Sequence, residues 1–210
     1  MKEYKIGVLV SGGGTNLQAI IDACESGVIP GEVAVVISNK KDAFALERAK
    51  KHEIPRVFID RKECRDSNEF SQKISTELKK YNVHLVCLAG FLMKLSDEFI
   101  EEHKNRIINV HPSLLPAFGG HGMYGHHVHE AVLASGAKFT GPSVHFVEQE
   151  YDKGPIILQA VVPVLDDDSA DSLGKRVLTQ EHKIFPEAIK LFCENKLEVT
   201  GNRVKIRGSL

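Results

Sequence analysis

Asn109 and His111 stand two residues apart in the stretch R-I-I-N-V-H-P-S-L-L-P, Arg106–Pro116. Ile107, Ile108 and Val110 give that stretch the β-branched density of a buried strand, and Pro112 ends its pairing because it has no N–H to donate. Side chains alternate across a strand, so Asn109 and His111 project from one face at the strand's carboxyl end. In open α/β sheets that end is where ligands bind. An amide donor and a titratable imidazole side by side suit a carbonyl oxygen that becomes negative during reaction. The alternative is a pair that merely satisfies loop backbone, and the residues alone do not separate the two.

A second stretch with chemical potential opens the chain. The apolar run K-I-G-V-L-V-S leads into Gly12, Gly13 and Gly14, then Thr15, Asn16 and a helical pattern at Leu17, Ile20, Ile21 and Cys24. Strand, glycine turn and helix bring backbone N–H groups close to a ligand, and a helix N-terminus favours an anion. S-G-G-G-T-N-L has no P-loop Lys, and Leu17 stands where G-x-G-x-x-G needs its last glycine, so a mononucleotide-type phosphate fits better than a dinucleotide. A glycine turn serving packing alone is the competing reading. A third stretch, A-F-G-G-H-G-M-Y-G-H-H-V-H, holds His121, His126, His127 and His129 without H-E-x-x-H or other ligand spacing. It reads as an irregular loop near the site, with no metal expected.

The elements that must position these groups alternate. Strands are expected at 5–11, 33–39, 56–59, 85–90 and 106–111, with helices at 41–52, 68–81 and from the Ser96 cap to about His103. Phe70, Ile74, Leu78 and Tyr81 form a core stripe. Later, 143–147 and 156–164 read as strands, His129 as the opening of a helix, and 169–196 as a helix broken or offset by Pro186. The tail alternates around Gly201-Asn202 like a hairpin. The fold class is therefore α/β: a Rossmann-like doubly wound, mostly parallel sheet in the N-terminal half, continued by a mixed C-terminal part. One domain over 1–210 is expected, with halves 1–105 and 106–210.

Composition sets bounds. Lys and Arg number 27 against 28 Asp and Glu, so no electrostatic footprint for nucleic acid is present. No apolar run reaches membrane-spanning length, and no signal-peptide cleavage site follows the charged start. Cys24, Cys64, Cys87 and Cys193 are widely spaced, as expected of reduced thiols in a cytoplasmic protein.

In order and spacing, S-G-G-G-T-N-L-Q-A-I, L-A-G-F-L-M-K-L, N-V-H-P-S-L-L-P, G-P-S-V-H-F-V and D-K-G-P resemble the folate-dependent formyltransferases over essentially the whole chain. The glycine-rich opening is similar to the branch acting on a ribonucleotide. The resemblance implies formyl transfer from 10-formyltetrahydrofolate to the amine of 5′-phosphoribosylglycinamide, a step of purine (IMP) biosynthesis, without a metal. It implies Asn109, His111 and Asp152 as the catalytic set. Gly14, Thr15 and Asn16 then hold the substrate phosphate, and Glu181 contacts the ribonucleotide. Leu92, Met93, Lys94 and Leu95 bind the folate with Asn109 and, on its other side, Glu148, Gln149, Glu150, Tyr151 and Asp152. Met93, Ser67 and Leu178 depart from residues common in relatives.

On that reading Asn109 and a protonated His111 stabilise the oxyanion, and Asp152 holds the imidazole cationic, raising its pKa. Small-molecule substrates are the expected partners of a monomer or weak homodimer, with neither nucleic acid nor membrane. Two rivals remain: a formyltetrahydrofolate hydrolase (deformylase), expected to carry an extra N-terminal domain, and a non-catalytic nucleotide-binding module. A formyltransferase acting on methionyl-tRNA is expected to add a basic C-terminal domain. The first strand starts by residue 5 and the chain ends soon after its last helix, which favours the ribonucleotide branch.

Overall fold

The structure, a computed structural model, describes residues 4–208. The chain forms two compact units that divide between Ile108 and Asn109.

In the first unit, strand β1 (Tyr4–Val10) pairs in parallel with β2 (Gly31–Ser38) on one side and β4 (Leu85–Leu88) on the other, and β2 carries β3 (Arg56–Phe58), also parallel. Ile6, Val8, Leu9 and Val10 are fully buried, as a strand covered on both faces requires. Helix α1 (Thr15–Glu25) buries Leu17, Ile20, Ile21 and Cys24 on one stripe. Helices α2 (Phe44–Lys51), α3 (Ser67–Lys80) and α4 (Asp97–Glu102) follow. The caps are chemical: the Asp66 carboxylate accepts from Glu69 N–H at the head of α3, and Ser96 Oγ accepts from Phe99 N–H at the head of α4.

The second unit takes up the rest of β5 (Ile107–His111) and orders its strands β10-β11-β8-β7-β5. Here β7 (Ser143–Phe146) runs antiparallel to β8 (Ile156–Gln159), and β10 (Leu197–Thr200) and β11 (Arg203–Ile206) form the expected hairpin. Helix α5 (His126–Ser135) packs on α6 (Ala170–Cys193) through Val128, Val132, Leu173 and Val177.

Three expectations are corrected. The run 156–164 is not one strand: it breaks after Gln159, and Val162–Pro163 (β9) pairs with Phe139–Thr140 (β6) in a separate two-stranded sheet. The break lies where Gly141 backs onto Ala160 so closely that a Cβ would overlap the Ala160 carbonyl oxygen. Pro186 does not break α6, which runs through it. The proline forgoes one backbone hydrogen bond, but Phe185, Pro186, Ala188 and Ile189 are all buried, and that burial holds the helix together across the gap. Finally, α5 opens at His126, behind Gly125, one turn earlier than His129.

Candidate active site

Strand β5 ends with Asn109 and His111, and both side chains meet partners from β7 and the turn after it. Asn109 Nδ2 lies 3.1 Å from His145 Nε2, and His145 Nδ1 lies 2.8 Å from the Phe146 carbonyl oxygen. A carbonyl only accepts, so His145 Nδ1 carries a proton, and its Nε2 faces the Asn109 amide. Asn109 turns its NH₂ toward that ring, so one N–H faces His145 and the second is unspent on it. His111 obeys the same logic. Its Nε2 lies 2.8 Å from the Phe118 carbonyl oxygen and therefore carries the proton in the neutral ring. Its Nδ1 then faces Asp152 Oδ2 at 3.6 Å, while Asp152 Oδ1 lies 3.6 Å from His145 Nε2.

Asp152 is thus flanked by two imidazoles, and the Gly120 N–H donates to its Oδ2 at 2.9 Å. Burial disfavours its charged form, but His145, His111 and the Gly120 N–H outweigh burial and hold the carboxyl below its ordinary value. His111 goes the other way from expectation. With only 4 % of its surface exposed, burial is the largest influence and pushes its pKa below the ordinary 6.5. Asp152 and the Phe118 carbonyl oppose that push without overcoming it. The expected cationic resting imidazole is therefore corrected to a neutral ring beside an ionised carboxylate.

The backbone that presents these groups is held by buried hydroxyls. Ser143 Oγ donates to the Ser113 carbonyl at 2.6 Å and accepts from Leu115 N–H at 2.9 Å, and Ser113 Oγ donates to the Ala117 carbonyl at 2.6 Å. Gln159 Nε2 adds a bond to the Leu115 carbonyl at 3.0 Å. Together they fix the S-L-L-P turn, with its cis Leu115–Pro116 peptide, and hence the Phe118 carbonyl. Behind Asp152, the Gly154 backbone lies against β7, where a Cβ would overlap the Phe146 carbonyl oxygen. Gly154→Ala is expected to push the turn off the strand, costing about 1–3 kcal/mol of stability. Because that turn carries Asp152, kcat/KM should fall about tenfold or more. Thermal melts and steady-state kinetics check both arms, and an unchanged kcat/KM would detach the turn's position from activity.

His145 and Ser143 went unassigned in the sequence, yet they share one face of β7 and do most of the orienting. The available signal was S-V-H-F-V itself: Ser and His at alternate positions of an otherwise apolar strand, all four of its residues buried. Polar groups buried there need partners. The histidines of the glycine-rich loop are placed differently: His126 and His127 face Glu130 at 3.4 and 3.2 Å, and His129 is buried, close against Gly174.

The remaining candidate residues are located as follows. In the first unit Gly14, at φ 71°, precedes Thr15 and Asn16 at the head of α1, and a Cβ on it would lie 2.6 Å from Ala45 Cβ. A Cβ at Gly12 or Gly13 would meet nothing within 4 Å, so packing does not demand those two glycines. Leu92–Leu95 follow β4, with the Leu92 N–H bound to Ser11 Oγ at 3.0 Å and the Leu92 side chain 52 % exposed. In the second unit Glu181 is buried on α6, Glu148, Gln149 and Glu150 are exposed, and Tyr151 is 45 % exposed beside the His121 ring.

A mixed α/β scaffold that brings an amide, two imidazoles and a carboxylate together at a strand's carboxyl end is suited to an enzyme acting on a carbonyl group. The chain belongs to the formyl transferase family, whose sequence model matches residues 4–189. It is 42 % identical over 204 residues to a phosphoribosylglycinamide formyltransferase of Haemophilus influenzae, covering 97 % of this chain and 94 % of that one. A protein of the same description from Escherichia coli is 42 % identical over 201 residues, covering 96 % and 92 %. Among solved structures, glycinamide ribonucleotide transformylase 1 from Symbiobacterium toebii superposes with a TM-score of 0.93 at 46 % identity, covering 98 % of this chain and 94 % of that one.

Proposed function

We propose that the chain transfers the formyl group of 10-formyltetrahydrofolate to the amine of 5′-phosphoribosylglycinamide in purine biosynthesis, as a cytoplasmic enzyme. The observation that carries the reading is the convergence of Asn109, His111, His145 and Asp152 in a member of the formyl transferase family. Gly14, Thr15 and Asn16 take the substrate's phosphate, and Glu181 takes the ribonucleotide. Leu92 to Leu95, Asn109 and Glu148 to Asp152 take the folate. The exposed apolar surfaces of Leu92 and Tyr151 support that last assignment, since a flat ring system needs apolar contact.

The chemistry follows from the protonation states. The amine nitrogen attacks the formyl carbon, and charge builds on the formyl oxygen, where the unspent Asn109 N–H stabilises it. The neutral His111 accepts the proton lost by the amine, directly or through water, and the imidazolium so formed is stabilised by Asp152. Breaking the bond between the formyl carbon and the folate nitrogen returns that proton to the folate nitrogen. Orientation, electrostatics and proton transfer through His111 are the protein's contribution.

The test is turnover with 10-formyltetrahydrofolate, with and without the ribonucleotide, following tetrahydrofolate and the formylated product together. Turnover only with the ribonucleotide is expected. Turnover without it would make the chain a hydrolase, and none in either case would leave a nucleotide-binding module.

A further inference from the structure

The three glycines before α1 have carbonyls that are each captured by a hydrogen bond from α1 or α2. Gly14 O accepts from Gln18 N–H at 3.0 Å, the first helical bond of α1, and Gly12 O accepts from Ala45 N–H at 3.1 Å, in the first turn of α2. Gly13 O accepts from a side chain, Arg48 Nε, at 2.8 Å. A peptide's N–H points opposite to its C=O, so capturing these carbonyls turns the N–H groups of Gly13, Gly14 and Thr15 the other way. Two of the captures are backbone bonds between regular elements. The third depends on Arg48 alone.

Arg48 sits in the last turn of α2, where the helix dipole favours a cation. Its guanidinium also donates from Nη1 to Gln18 Oε1 at 3.1 Å and lies over the Phe44 ring, 5.0 Å from its centroid. Among the described residues it forms no ion pair with a carboxylate, and it is only half-buried. At the head of α1 the dipole favours negative charge, so an anion there gains from both the helix and the guanidinium, and the space left over Gly12 and Gly13 admits one.

We infer that Arg48 is a positioning residue for the ribonucleotide's phosphate: its two-pronged guanidinium holds the Gly13–Gly14 peptide so that the Gly14 N–H points at the phosphate. This rests on the phosphate assignment proposed above. It also separates two roles that a lysine would confuse, since Arg48→Lys keeps the charge but cannot reproduce the planar fork to Gly13 and Gln18.

Two measurements test it. In amide NMR, titration of wild-type protein with inorganic phosphate should shift Gly14 and Thr15, and no shift there would refute the phosphate assignment itself. With the wild-type response in hand, Arg48→Lys and Arg48→Ala should both weaken the phosphate response about tenfold or more. In the transfer assay both should raise the ribonucleotide KM by a similar factor, with kcat and the folate KM within about twofold of wild type. Comparable melting temperatures establish that the folds are intact. A wild-type ribonucleotide KM in a folded Arg48→Lys protein would overturn the positioning role, leaving Arg48 as a point charge. A kcat that fell or a folate KM that rose together with the loss of phosphate binding would likewise overturn it, in favour of a general structural role.

Discussion

Asn109→Ala is expected to lower kcat about 10²–10³-fold, the range associated with losing one donor to a developing oxyanion. KM for either substrate should move no more than about threefold, because the formyl oxygen is a weak acceptor before attack and a strong one during it. The geometry sharpens the expectation. One amide hydrogen is committed to His145 Nε2 at 3.1 Å, so a single hydrogen remains for the substrate and no neighbouring N–H on the same group can substitute. Asn109→Asp should be no better than Ala, although it preserves the shape. A carboxylate offers no donor to the developing oxyanion. Steady-state kinetics of both variants with each substrate varied decides the matter. A rise in KM at constant kcat would place Asn109 in ground-state binding instead.

The second large effect is expected at Asp152. Burial keeps His111 neutral below the ordinary histidine value, so a His111 that accepts a proton is competent above its lowered pKa and fails as pH falls through it. Activity should therefore show an acid limb belonging to His111, with no alkaline limb from that ring. Asp152 raises the His111 pKa against burial, so Asp152→Asn should lower it further and shift the acid limb to lower pH. The plateau should fall at the same time, by about 10²–10⁴, since the imidazolium formed during reaction loses its counter-charge. The substrate amine contributes an acid limb of its own, so the rate profile is paired with an NMR titration of the His111 ring in both proteins. An alkaline limb that moved to lower pH in Asp152→Asn would mean that a cationic His111 is the active form. An unmoved His111 titration would break the link between the two residues.

The contrast between these residues marks what could be read from the chain. Asn109 and His111 were legible because a short β-branched run stopped by Pro112 sets both at one strand end, and local pattern suffices for that. Gly14 was legible for a similar reason, its neighbours being strand and helix in close succession. Asp152 was not legible in this sense: a turn acidic residue normally bonds its own backbone, and only the resemblance singled it out. Its pairing with His111 depends on Gly120 and Gly154 bringing remote backbone together, which no local pattern encodes. The sign of the His111 shift was misjudged because a charged neighbour can be guessed from a motif, whereas the depth of burial cannot. Pro186 failed in the opposite direction. Its local rule is sound, but the buried stripe of α6 overrides it.

Asp152 also sits at φ 56°, in the left-handed region that most side chains avoid and that Asp and Asn tolerate best. The backbone at this position therefore sieves substitutions before any chemistry is considered. A β-branched or bulky replacement would distort the turn as well as remove the carboxylate, and its loss of activity would say nothing about charge. Asparagine passes the sieve and carries no charge, while glutamate carries the charge and passes less readily. Of the uncharged replacements, glycine and asparagine suit this backbone best, and only asparagine also keeps an oxygen that can accept from the Gly120 N–H.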